Sequence, residues 1–135
     1  MSALEGGCLC GSVRYRAAGE TTNATVCHCA SCRRAAGAPM VAWVSVPRAG
    51  FTLSGAAPVR YRSSPPVVRS FCGRCGTPIS YERDDEPETL DVTIASLDHA
   101  ADVPPADHTW WSESLPWLPG LAALPRFPRR RSDDG

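Results

Sequence analysis

Lysine is absent: all fourteen basic residues of this 135-residue chain are arginine. Its plainest reading is codon usage in a GC-rich genome, and no function is read from it. Neither sign of charge is in excess, because fourteen acidic residues bring the formal net charge to zero. No global field therefore draws in nucleic acid or an anionic membrane. Long apolar runs are also missing. No stretch approaches the roughly 18 residues that a membrane span requires. Residues 1–7 have neither the basic start nor the apolar run of a signal peptide. The expected compartment is the cytoplasm, where thiols are kept reduced. The chain is too short for two domains of ordinary size. Its 43% hydrophobic and 21% charged residues exclude disorder along the whole length.

What is present is a series of short alternating segments bounded by glycine and proline. Ser12-Val-Arg-Tyr-Arg16 places Val13 and Tyr15 on one face and two arginines on the other. Residues 40–46 are more uniformly apolar, as in a strand buried on both faces. Residues 59–62, 67–71 and 79–82 read as further strands. Residues 90–97 read as the longest, with Leu90, Val92 and Ile94 facing one way. One short helix is expected near residues 32–36, stopped by Gly37 and Pro39. The domain is mainly β. From Pro104 onward the texture changes, with six of the thirteen prolines and Trp110, Trp111 and Trp117. Such proline density forbids a long helix or a central strand. Burying each tryptophan would contribute roughly 2–3 kcal/mol, so this segment is expected to pack over the sheet. One domain over residues 1–128 is expected, followed by a flexible tail over 129–135.

Seven cysteines in a reducing compartment need a reason, and an odd number argues against a complete disulfide framework. They fall into three clusters: Cys8 with Cys10, then Cys27, Cys29 and Cys32, then Cys72 with Cys75. A structural zinc takes four ligands in a tetrahedron, with Zn–S bonds of roughly 2.3 Å. The Cys72-Gly-Arg-Cys75-Gly turn suits one half of such a site, its glycines letting backbone N–H groups aim at sulfur. Seven ligands divide most naturally as four plus three. The two pairs close one tetrahedron, leaving Cys27, Cys29 and Cys32 with an open position, the pattern of a chemically active zinc. In an extended segment Cys27 and Cys29 share a face and His28 points away. Spacing leaves other pairings open, such as a trio closed by His99 or His108. Free buried thiols are another reading. A thioredoxin-type redox motif would need a long helix after it, and Gly37 and Pro39 prevent one.

Gly7-Cys-Leu-Cys-Gly-Ser-Val-Arg-Tyr15, Cys27-His-Cys-Ala-Ser-Cys-Arg33 and Phe71-Cys-Gly-Arg-Cys-Gly-Thr77 resemble the glutathione-dependent formaldehyde-activating enzyme family. That family includes a centromere-protein-V-type branch. The resemblance continues through Ser96-Leu-Asp98, His108-Thr-Trp110 and Leu115-Pro-Trp117 to Leu124-Pro-Arg-Phe127. It implies an Mss4-like fold of small stacked antiparallel sheets. It implies a structural zinc on Cys8, Cys10, Cys72 and Cys75 and a catalytic zinc on Cys27, Cys29 and Cys32. The activity it implies is that of a carbon–sulfur lyase, the namesake reaction being condensation of formaldehyde with glutathione.

A zinc carrying three thiolates acidifies water weakly but suits a soft thiol such as glutathione, whose thiol pKa lies near the roughly 8.5 of cysteine. Arg33 and Arg34 are candidates to clamp its carboxylates. Trp43, Trp110 and Trp117 are candidates to wall a cleft, though aromatic side chains also simply fill cores. His28 is expected to be packed or exposed, and His99 and His108 to bond to backbone. Asp98 reads first as a turn residue. The competing class is a non-catalytic zinc module that binds a partner. Oligomeric state is not legible.

Overall fold

The computed structural model describes residues 3–131 as two stacked sheets, a short helix and an irregular C-terminal segment. In chain order the elements are β1 (Ala3–Gly7), β2 (Val13–Ala18), β3 (Thr22–Cys27), α1 (Ala30–Ala36) and β4 (Val41–Pro47). There follow β5 (Phe51–Gly55), β6 (Val59–Ser64), β7 (Val67–Phe71), β8 (Pro78–Arg83), β9 (Thr89–Thr93) and β10 (Asp107–Thr109). The smaller sheet has the order β1-β2-β5, and the larger the order β10-β3-β4-β9-β8-β7-β6. All pairings are antiparallel except that of β10 with β3.

Side-chain alternation explains the stacking. Val13, Tyr15 and Ala17 of β2 point to one side and are almost wholly buried. They pack in one core with Val44 and Val46 of β4, Ile79 of β8, and Leu90 and Val92 of β9. Each such branched side chain contributes about 1.5–3 kcal/mol by leaving water. β4 is buried on both faces, as its unbroken apolar run implies, with Val41, Trp43 and Ser45 on the side away from this core. The expected strand over residues 90–97 is shorter than its pattern. It ends at Thr93, and Ile94–Ser96 form a 3-10 turn in which the Ser96 hydroxyl donates to the Thr93 carbonyl at 2.9 Å. Ile94 still reaches the core with Leu90 and Val92, so the burial was legible although the backbone was not.

The C-terminal segment departs from expectation. It lies along the large sheet through β10, but Trp110, Trp111 and Trp117 remain 61%, 48% and 53% exposed. Trp110 and Trp117 do not hold it. Trp111 does in part, its ring set edge-on against His28 and His108 with centroids 5.0 and 4.9 Å apart. Polar contacts add to this: the His28 N–H donates to the Thr109 carbonyl at 3.1 Å, and the Ala30 N–H to the Glu113 carboxylate at 3.0 Å. Of the tail expected at 129–135, residues 132–135 lie outside the described residues, while Arg131 holds its guanidinium 5.6 Å from the Phe127 ring centroid. Among the described residues no helix is long and apolar enough to cross a membrane.

Candidate metal centres and the adjoining cleft

All seven cysteines are free thiols, gathered into two groups. Cys8 and Cys10 follow β1, and Cys72 and Cys75 sit in the turn between β7 and β8. Their four sulfurs lie within 4.8 Å of one another. The Cys8–Cys10 and Cys10–Cys72 Sγ distances are 3.6 and 3.8 Å. Those are the edges of a tetrahedron with metal–sulfur bonds of about 2.3 Å. Gly76 adopts a left-handed conformation (φ 83°), closing the turn with its N–H on the Cys72 carbonyl. Backbone N–H groups of Val13, Arg74 and Cys75 point at sulfur from 3.3–3.4 Å. The Thr77 hydroxyl beside Cys75 draws that thiol down to about 5, and the Val13 N–H helps bring Cys8 to about 7. Four sulfurs at this spacing, supplied with N–H donors, fit a closed tetrahedral zinc.

Cys27, Cys29 and Cys32 form the second group, also within 4.8 Å. Cys27 ends β3, and Cys29 is the N-cap of α1, its sulfur accepting the Cys32 N–H at 3.3 Å. Gly37 ends the helix in a left-handed conformation. Among the described residues no histidine or carboxylate joins the trio, so neither His99 nor His108 closes it. His28 is wholly buried on the opposite side and bonds through Nε2 to His108 Nδ1 at 2.8 Å. His108 thus meets a side chain where a backbone partner was expected. Within the trio, Cys32 is held above its ordinary range, first by its hydrogen bond to Cys27 and then by burial. The same bond lowers Cys27, and burial raises Cys29. Three crowded thiols, two of them held protonated and one already eased toward thiolate, are suited to a cation that replaces the remaining protons.

The trio opens into a cleft of about 650 Å³, and all three cysteines line it. Its floor is the face of the large sheet that carries Thr25, Trp43, Tyr81 and Arg69. Arg69 is 9% exposed and directs both terminal nitrogens at Cys32 Sγ from 3.7 Å, while its guanidinium lies 5.1 Å from the Tyr81 ring centroid. Trp110 stands at the rim in a left-handed conformation (φ 54°), uncommon for a bulky side chain.

Of the candidate cleft residues, Trp43 and Trp110 are in place and Trp117 is not. Arg33 and Arg34 lie on α1 and do not line the cleft; Arg33 Nε is buried with no partner among the described residues. Asp98 does more than turn the chain, forming a two-pronged ion pair with Arg14. Arg69 and Tyr81 are cleft residues that the sequence reading passed over. The signal available was an arginine at an inward position of a buried strand, between Val67 and Phe71.

The model of the family described as "Glutathione-dependent formaldehyde-activating enzyme" matches residues 3–113. No curated protein matches at a significant level. A Rhodobacter sphaeroides protein solved by structural genomics is similar, with a TM-score of 0.62 and 25% identity. The match covers 78% of this chain and 99% of that one. A family match over most of the chain, with both cysteine groups assembled as its motifs imply, places this protein in the glutathione-dependent formaldehyde-activating enzyme family.

Proposed function

We propose that the protein is a zinc-dependent enzyme of the carbon–sulfur lyase type, joining a thiol to an aldehyde or reversing that addition. Glutathione and formaldehyde are the first pair to test. The unit that carries the activity is residues 1–128. Cys8, Cys10, Cys72 and Cys75 would hold a structural zinc, and Cys27, Cys29 and Cys32 a reactive one. The single observation behind this is that all three cysteines of the trio line the 650 Å³ cleft, whereas among the described residues no member of the four-cysteine group does, Cys8 alone reaching a separate hollow.

Zinc bound to the trio would supply a Lewis acid that keeps an incoming sulfur as thiolate at neutral pH. The remaining work falls to this chain. Trp43 and Tyr81, their ring centroids 5.9 Å apart, give the cleft an apolar wall that limits water beside the reacting sulfur. Arg69 sets a fixed positive charge against Cys32, offsetting the negative charge that three thiolates and a fourth sulfur would concentrate there. Its stacking on Tyr81 keeps the guanidinium plane in place.

Cobalt substitution tests the reading. Titrating glutathione into the cobalt protein is expected to shift the thiolate-to-cobalt absorption, and the loaded enzyme to accelerate exchange between formaldehyde and S-hydroxymethylglutathione. An unchanged spectrum would favour the binding-module reading, for which the exposed tryptophans are the supporting feature.

A further inference from the structure

One cross-strand row on the cleft floor runs Ser45, Asp91, Tyr81, Arg69, each paired in register with the next. It places an acid and a base two strands apart, about 10 Å at ordinary strand spacing. They do not pair. Tyr81 stands between them, and Arg69 stacks on its ring with both terminal nitrogens turned to Cys32. Asp91 is left with one neutral partner, the Ser45 hydroxyl, which donates to Oδ1 at 2.6 Å. None of the ion pairs among the described residues includes it.

The surroundings sharpen the imbalance. Burial pushes the Asp91 carboxyl up, and the negative charge of Glu86, which lines the same cleft, adds to the effect. Arg83 also lines the cleft, but Asp85 holds its guanidinium through two bonds of 2.9 Å. A half-buried carboxylate beside a second acid and facing an open cleft lacks a counter-charge.

We propose that Asp91, oriented by Ser45, receives the cationic group of the substrate, so that the cleft selects thiols bearing an ammonium group remote from sulfur. This rests on the reading of the trio as the thiol site. Strand register supplies the scale. Cys27 pairs with Val41 and Asp91 with Ser45, four residues apart along β4 and, since β3 and β9 flank it, two strands across, or about 16 Å between backbones. An extended γ-glutamyl peptide thiol separates sulfur from ammonium by about 10 Å, and the Cys27 and Asp91 side chains, which both line the cleft, take up the remainder. Cysteamine, at about 4 Å, is too short to engage both ends.

The test uses calorimetric titration of the zinc-loaded full chain with glutathione, glutathione acetylated on its α-amino group, and cysteamine. Wild type is expected to bind glutathione about tenfold more tightly than the acetylated form. Asp91→Asn is expected to remove that preference by weakening glutathione alone, with cysteamine affinity unchanged. Ser45→Ala, which removes only the orienting hydroxyl, is expected to reduce the preference less. It serves as the second variant should Asn at position 91 impair folding. Equal affinity of wild type for the two glutathione forms overturns the proposal while leaving the thiol site standing. Survival of the preference in Asp91→Asn also overturns it. Failure of all three thiols to bind wild type overturns the thiol site and this inference with it.

Discussion

Cys32 and Cys75 carry the same thiol, and their neighbours set them different tasks. Cys75 meets the Thr77 hydroxyl in a group of four sulfurs, whereas Cys32 lines a cleft beside Arg69 in a group of three. Cys75→Ser is expected to lose the closed zinc and more than about 5 kcal/mol of stability, eliminating the cooperative melt. Cys32→Ser is expected to keep the melt and lose activity about a hundredfold or more. Metal analysis with calorimetry checks the pair, and equal unfolding of both variants would contradict the assignment. Arg69→Lys keeps the charge but gives up the planar fork and the stack on Tyr81. The expected result is about a tenfold fall in activity with a near-parental melting temperature, read by steady-state kinetics and thermal denaturation. Cysteine spacing made the four-plus-three grouping of the thiols legible in the sequence. Arg69, Tyr81 and Asp91 were not legible, because they come together only through strand register across β7, β8 and β9.

The elements best read from sequence were those whose period matches their burial. β2 alternates cleanly, and β4 is apolar on both faces. Helix α1 begins at its N-cap cysteine and stops at Gly37. β10 was missed because its three residues are exposed, and its pairing with β3 is parallel and remote in sequence. Trp110 and Trp117 gave a misleading signal for the same segment, since size alone does not say whether a side chain has a core to enter, whereas Trp111 does pack against His28 and His108. What fastens β10 is the part-buried His28–His108 bond, with Glu113 accepting from the first turn of α1. These contacts brace the loop that carries the trio. His108→Ala and Glu113→Ala are each expected to cost about 1 kcal/mol and to speed amide exchange in residues 107–109. The double variant is expected to weaken zinc at the trio severalfold, with the closed group unaffected. Hydrogen exchange and chelator competition report the two effects separately.

At the scale of the whole molecule the two cysteine groups differ in what they join. The closed group links the turn after β1, in the small sheet, to the turn between β7 and β8, in the large one; Cys10 and Cys72 are 62 residues apart. A metal held there would cross-link so long a loop that it would restrict the unfolded chain strongly. The trio spans only residues 27–32 beside a single sheet, so a metal bound to it would add little to that restriction. Proton competition follows the same division. Thiols with lowered pKa have fewer protons to displace and keep a metal to lower pH, while thiols with raised pKa release it sooner. Cys75, near 5, and Cys8, near 7, are of the first kind, although Cys10 moves the other way; Cys29 and Cys32 are of the second, although Cys27 is lowered by its bond to Cys32. Acidification is therefore expected to release zinc in two steps. The first empties the trio, abolishing thiol binding with the β circular dichroism intact. The second empties the closed group, and the sheets come apart with it. A chelating dye read alongside far-ultraviolet circular dichroism resolves the order. Release of both ions in one step together with unfolding would mean that the trio is as much a part of the scaffold as the closed group.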